Sequence, residues 1–268
     1  MNKLRDKMKT TKPPKTFLLL MGMPLIVTFL PFSNFYLDIL ITLNTVFVIY
    51  LLVTACRAKH VGKIMLYPTW ILLSIGFSLA IQISSIPVIL TKETALQGIF
   101  YSLYLRLFGT IDIGTLIANF IIFIVINMMQ ILLIGRVASR VIDSLLKFNL
   151  DRVFLERMIV DASYSSGEIT MDQFIEIKGD IDNVNNFKEM LIGSRQFVYS
   201  YEKTRLIIIA ITIIGGILIG TMIQGHSSIE TIETFFPLAI FYGYISMLPP
   251  ILLSFAIVIF LYKNHYRT

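Results

Sequence analysis

Six apolar runs, each about long enough to cross a hydrocarbon layer, limit what this chain can fold into. They fall near 17–33, 36–55, 68–90, 112–134, 206–223 and 235–262. A membrane-crossing helix needs about 20 apolar residues. In lipid every backbone polar group has to be satisfied within the protein, which leaves the helix as the form open to each run. The first run is short and carries Pro24 and Pro31; the last is long and is broken by Pro249-Pro250. With 56% hydrophobic residues, 15% charged residues and a mean hydropathy of +0.76, the chain reads as an all-α polytopic membrane protein.

Charge sets the expected orientation. Lys3, Arg5, Lys7, Lys9, Lys12 and Lys15 precede the first run, and Arg57, Lys59 and Lys63 follow the second. Ten Lys and Arg lie from Arg136 to Arg205, and Lys263 and Arg267 close the chain. The alternate loops hold only Lys92 and Arg106. Cytoplasmic loops carry the basic excess, so both termini are expected in the cytoplasm. The formal charge of +6 then reflects topology and contact with the lipid bilayer, not nucleic-acid binding. Five regions follow: a basic N-terminus 1–16, a four-span half 17–135, a cytoplasmic helical insertion 136–205, a two-span half 206–262 and a tail 263–268. The N-terminus lacks a small-residue cleavage site after its apolar run, so the first helix is read as retained. Cys56 is the single cysteine and offers no disulfide within one chain.

The insertion mixes ten basic with eleven acidic residues. Its opening continues the fourth run without Pro or Gly after Gly135, which predicts one long helix leaving the membrane. Ser165-Ser166-Gly167 marks a turn. Thr170 and Gln173 fit a capping box. A short helix through Lys178 is expected, then a break at Gly179-Asp180, then a final helix from about Val184 into the fifth span.

Uncharged polar residues dot the spans: Asn44, Gln82, Asn119, Asn127 and Gln130. Interhelical hydrogen bonding, worth about 1 kcal/mol or less in a membrane, is the simplest account of each. Gly216 and Gly220, beside Gly215, form a small-xxx-small pair that permits close helix contact, and this surface is a candidate for homo-oligomer contacts. Asp38 and Asp112 fall near outer membrane ends, where interfacial solvation suffices. His60, His226 and His265 show no metal-ligand spacing. There is no phosphate-binding glycine loop, zinc-binding helix pair or nucleophile elbow, so neither an enzyme nor a bound cofactor is expected.

Two stretches carry a resemblance. Gly215-Gly216-Ile217-Leu218-Ile219-Gly220 leads through a loop, Glu230 to Thr234, into Gly243-Tyr244-Ile245-Ser246-Met247-Leu248-Pro249. Arg140 to Gly167 matches a cytoplasmic signature without gaps at Arg140, Lys147, Phe148, Leu150, Asp151, Met158, Asp161, Ala162 and Gly167. Both stretches resemble the FHIPEP family, the major export-gate subunit of flagellar and virulence type III secretion. Leu30-Pro31, Asp38 to Asn44, Pro68-Thr69, Leu79-Ala80 and Gln130 extend the likeness over nearly the whole chain. The resemblance implies an inner-membrane export component, partnered by other export-apparatus membrane subunits in a homo-oligomeric ring.

The departures from the family share one character. The signature's Pro-Gly-Lys-Gln core is replaced by Phe154-Leu155-Glu156-Arg157, and a signature aspartate by Ser163. Family arginines of the third span correspond to Ser78 and Pro87. Family aspartates correspond to Tyr201 and Tyr242, and a family glutamine to Met247. A membrane-buried charge costs about 2.5–3.5 kcal/mol on insertion scales, so losing acids and bases together avoids stranding one. A phenol, with a reference pKa of ~10, does not exchange protons near neutrality. Glu202, beside Tyr201, is the remaining candidate proton site; its neighbours Lys203 and Arg205 make a surface ion pair at the membrane edge the expected role. Pro249 and Gly243, with Gly215, Gly216 and Gly220, are expected to serve membrane packing. Family members continue into a large cytoplasmic domain, which this sequence does not reach. A structural gate element without its own proton pathway is the leading reading; a small transporter or channel, or a truncated relic, are the alternatives. No charged residue is expected in a span centre.

Overall fold

The computed structural model describes residues 22, 24, 26, 27, 34–57, 66–91, 102, 106, 113–223, 225 and 227–265. The first expected span, the basic N-terminus, Asp112, His60 and His226 lie outside the described residues or almost entirely so. The remainder is helical: α1 (Asn34–Arg57), α2 (Tyr67–Thr91), α3 (Ile113–Leu132), a π-helical turn (Leu133–Val137), α4 (Ala138–Ser165), α5 (Met171–Met222), α6 (Ser228–Ile245) and α7 (Leu248–His265). Five helical stretches are long and apolar enough to span a bilayer, with α6 and α7 counting as one. The chain is a polytopic all-α membrane protein.

Direct contacts fix how the spans run. Asn44 Nδ2 donates to Ser78 Oγ at 2.7 Å, and Tyr67 Oη donates to Leu51 O at 3.0 Å, so α1 and α2 are antiparallel. Ser194 Oγ donates to Pro68 O at 3.3 Å, Gln82 Nε2 donates to Arg205 O at 3.3 Å, and Gly215 faces Leu90. These pairs keep a nearly constant offset, so α2 and α5 are parallel. Asn44 and Ser78 sit near the midpoints of α1 and α2. In the largest core cluster Val48, Leu51, Ile71 and Ile75 of the spans meet Phe187, Leu191 and Val198 of α5 and residues of α7 from Leu253 to Leu261.

Beyond the spans, α4 and the first half of α5 form an antiparallel hairpin. Lys178 Nζ lies 3.1 Å from Asp161 Oδ1, Arg157 pairs with Asp182 at 2.5 Å, and the Tyr164 and Phe174 rings stand 4.7 Å apart. The turn at Gly167 uses φ +77°, which a residue without Cβ adopts freely. The capping box forms as expected: Gln173 N donates to Thr170 Oγ1 at 3.4 Å, and Thr170 N donates to Gln173 Oε1 at 2.9 Å.

Two expectations fail here. The break at Gly179-Asp180 does not occur, because α5 runs 52 residues without interruption from Met171 to Met222. One interior glycine costs about 1 kcal/mol of helix propensity, and the pairing of Lys178 and Asp182 with α4 on either side outweighs it. Nor is Glu230 to Thr234 a loop. It lies in α6, whose N-terminus is closed by a second capping box between Ser227 and Glu230.

Candidate functional site: a buried charge cluster at a broken helix

Pro249 and Pro250 have no N–H, so the carbonyls of Ile245 and Ser246 lose their regular helical donors. The helix breaks there. Ser246 N still reaches Tyr242 O at 3.0 Å, but Met247 N turns to Tyr244 O at 3.2 Å. That leaves Gly243 O free of its helical partner, and Arg205 Nη1 donates to it at 3.0 Å. A guanidinium at the carbonyl end of α6 meets the negative end of that helix's dipole. Gln130 Nε2 donates to Met247 O, on the other side of the break, at 3.2 Å.

The same two side chains connect to a carboxylate. Arg205 Nη2 lies 2.9 Å from Glu202 Oε2, and Gln130 Nε2 lies 2.6 Å from Glu202 Oε1. Arg205 Nη2 also donates to Asn127 Oδ1 at 2.5 Å. Glu202 and Arg205 are both 0% exposed. This corrects two expectations. Glu202 is not in a surface ion pair at the membrane edge, and a charged pair does sit level with the middles of α1 and α2. The opposite charges compensate each other, the arrangement in which buried charges persist, although Arg205 Nε and Gln130 Oε1 are buried without a hydrogen-bond partner. Of the uncharged polar residues read as interhelical glue, Asn44, Gln82, Asn127 and Gln130 do bridge helices through their side chains, yet for Asn127 and Gln130 the partners include these two charges.

Beside the pair is a cavity of about 30 Å3, enough for one or two waters. Ser78, Tyr201 and Tyr242 all border it. Gln82 Oε1 and Tyr201 Oη are buried without a hydrogen-bond partner, and both residues line the same space. Ser246 and Pro249 of the helix break complete it on one side.

The packing glycines are used inside the chain. A Cβ at Gly216 would lie 2.8 Å from Phe235 Cβ, and one at Gly220 would lie 2.5 Å from Thr231 Cγ2, so both press on α6. Gly243 presses on Phe123, and Gly215 faces Leu90. The Gly216–Gly220 surface is therefore consumed by the fold and is not open to a second copy. Asp38, expected in interfacial water, is buried. The signature residues do not join the cluster. Arg140, Asp151, Met158 and Asp161 are exposed on α4, Gly167 makes the hairpin turn, and the Lys147 side chain lies outside the described residues. Among the described residues no group of three His, Cys, Asp or Glu converges on a metal site.

The signal for the buried pair was present in the sequence. Phe187, Leu191, Ser194, Val198, Tyr201, Arg205, Ile208, Thr212, Gly216 and Gly220 recur at steps of three and four, and all are buried. That periodicity crosses residue 206, where hydropathy alone begins the fifth span.

The FHIPEP family profile matches residues 24–266, nearly the full described length. The chain belongs to the FHIPEP family. It is 33% identical over 230 residues to the flagellar biosynthesis protein FlhA of Borreliella burgdorferi, covering 84% of this chain and 32% of that protein. It is 27% identical to the low calcium response locus protein D of Yersinia pestis, over 84% of this chain and 31% of the relative. It is also 27% identical to protein MxiA of Shigella flexneri, over 92% of this chain and 35% of that one. The chain thus spans about a third of the length of these FHIPEP relatives. No solved structure matches it.

Proposed function

We propose that this FHIPEP chain is a membrane subunit of a type III protein-export gate, flagellar or virulence-related, that acts structurally and has no proton pathway of its own. In this reading it lies in the bacterial inner membrane, with both termini and the hairpin in the cytoplasm. It assembles with other export-apparatus membrane subunits and with copies of itself in a ring. The likeness to proteins named for flagellar biosynthesis supports the export role.

One observation carries the structural half. Ser78, Tyr201 and Tyr242, all uncharged, border a single cavity, while Glu202, adjacent to Tyr201, is held at both oxygens. A carboxylate held at one oxygen by a guanidinium and at the other by an amide is fixed in place as an ion-pair partner. Glu202 then serves to hold α3, α5 and the α6–α7 break together.

Proton flux into liposomes under an imposed pH gradient tests this. Vesicles holding the protein are expected to leak no faster than empty ones. A leak present in the wild type and abolished by Glu202→Gln would make Glu202 a proton site instead. Co-purification with other export-apparatus membrane subunits tests the assembly half.

A further inference from the structure

The outward face of α5 changes character along its length. Gln196, Phe197, Ser200, Lys203, Thr204, Ile207, Ile211, Ile214 and Leu218 share one face and are all exposed. From Ile207 onward the face is apolar, as a lipid-facing surface should be. From Gln196 to Thr204 it is polar apart from Phe197. Lys203 directly follows the buried Glu202, nine residues beyond Ser194, which meets Pro68 at the start of α2. At 1.5 Å per residue that places its backbone about 13 Å along the span. Its ammonium bends back over the Tyr199 ring, 4.5 Å from the centroid, and Tyr199 packs on Gly135 of the π-helical turn.

Lys203 has no carboxylate within ion-pair distance among the described residues. On the span helices described, it is the one exposed charged side chain beyond the level of Arg136 and short of Glu233. The described residues of a second copy offer no exposed carboxylate at that depth, because Glu202 there is buried. Ionisable side chains within a membrane face a protein interior or a water-filled space, since exposure to acyl chains is costly. No described part of the protein covers this one.

We propose that the face of α5 from Gln196 to Thr204 borders water rather than lipid: an aqueous cleft that runs from the hairpin side to the level of the Glu202–Arg205 pair and ends at Ile207. Such a cleft exists with or without an exported substrate, so it stands apart from the export reading.

Cysteine reactivity in native membrane vesicles tests it, in the full chain with Cys56→Ser. Ser200→Cys and Thr204→Cys place thiols on the proposed wet stretch and leave Lys203 intact. Ile211→Cys on the same face and Ile121→Cys on α3 are lipid-facing comparisons. A permanently charged methanethiosulfonate is added from the hairpin side. Only a hydrated thiol forms the reactive thiolate. Positions 200 and 204 are expected to react within about tenfold of a Ser165→Cys thiol at the hairpin turn, and 211 and 121 at least about a hundredfold more slowly. Slow reaction at 200 and 204, matching 211 and 121, would overturn the cleft, whether lipid or another subunit covers the face. Failure of the protein to co-purify with export subunits would leave the labelling result unchanged.

Discussion

At the residue scale, the Glu202–Arg205 pair is a commitment the chain cannot half abandon. Removing one member of a buried ion pair typically costs about 3–5 kcal/mol, because the other charge is left uncompensated in low dielectric. Arg205→Met should therefore destabilise the protein by about that amount in an unfolding titration in detergent micelles. Combining it with Glu202→Leu should recover part of the loss, but not all, since Asn127, Gln130 and Gly243 O then lose donors or acceptors. A single variant as stable as the wild type would mean that water reaches the pair. Lys203, one residue from Glu202, shows how sharply neighbouring charges part company on a helix: one side chain is sealed inside the bundle and the next points out of it.

At the scale of elements, the glycines separate into two kinds that respond in opposite directions. Gly216 and Gly220 are contact points between α5 and α6, and added side chains there meet Phe235 and Thr231. Gly216→Leu or Gly220→Leu should cost about 1–3 kcal/mol or more through overpacking. Gly179 and Gly193 have nothing within 4 Å of an added Cβ and keep negative φ. Gly179→Ala or Gly193→Ala should stabilise α5 by about 0.5–1 kcal/mol. Thermal unfolding in the same detergent distinguishes the two kinds. The long spans and both capping residues of the hairpin were legible in sequence, because apolar length and the Thr170–Gln173 spacing are local signals. The continuity of α5 was not, since Gly179-Asp180 is a genuine local breaker that only its cross-hairpin partners override. The buried pair was obscured for a related reason. Glu202 and Arg205 flank the start of an apolar run, and their partners Asn127 and Gln130 lie more than 70 residues away.

For the whole molecule, topology carries the widest prediction. The proposed orientation, argued from the basic excess of alternate loops, has the hairpin turn on the cytoplasmic side. With Cys56→Ser, a cysteine at Ser165 should react with an impermeant maleimide in inverted vesicles and stay protected in intact cells. Periplasmic labelling would reverse the orientation of every span. Positions grouped in sequence only by what they lack, Ser78, Tyr201 and Tyr242, meet around one cavity in space. That convergence could not be read from spacing, because the three lie on α2, α5 and α6.

The unbroken length of α5 has a mechanical consequence. From Met171 at the hairpin tip to Arg205 is 34 residues, or about 51 Å of continuous helix. A straight helix does not absorb bending within itself unless something kinks it, and no proline interrupts this stretch. The helix is clamped well before the buried pair, because Phe187, Leu191, Ser194 and Val198 already hold it against α2 and α7. The arm ahead of that clamp is the 16 residues from Met171 to Phe187, about 24 Å. A tilt of about 5° at Phe187 sweeps the tip through about 2 Å at that length. Force applied to the hairpin by anything that binds it reaches that clamp, and through it α2 and α7.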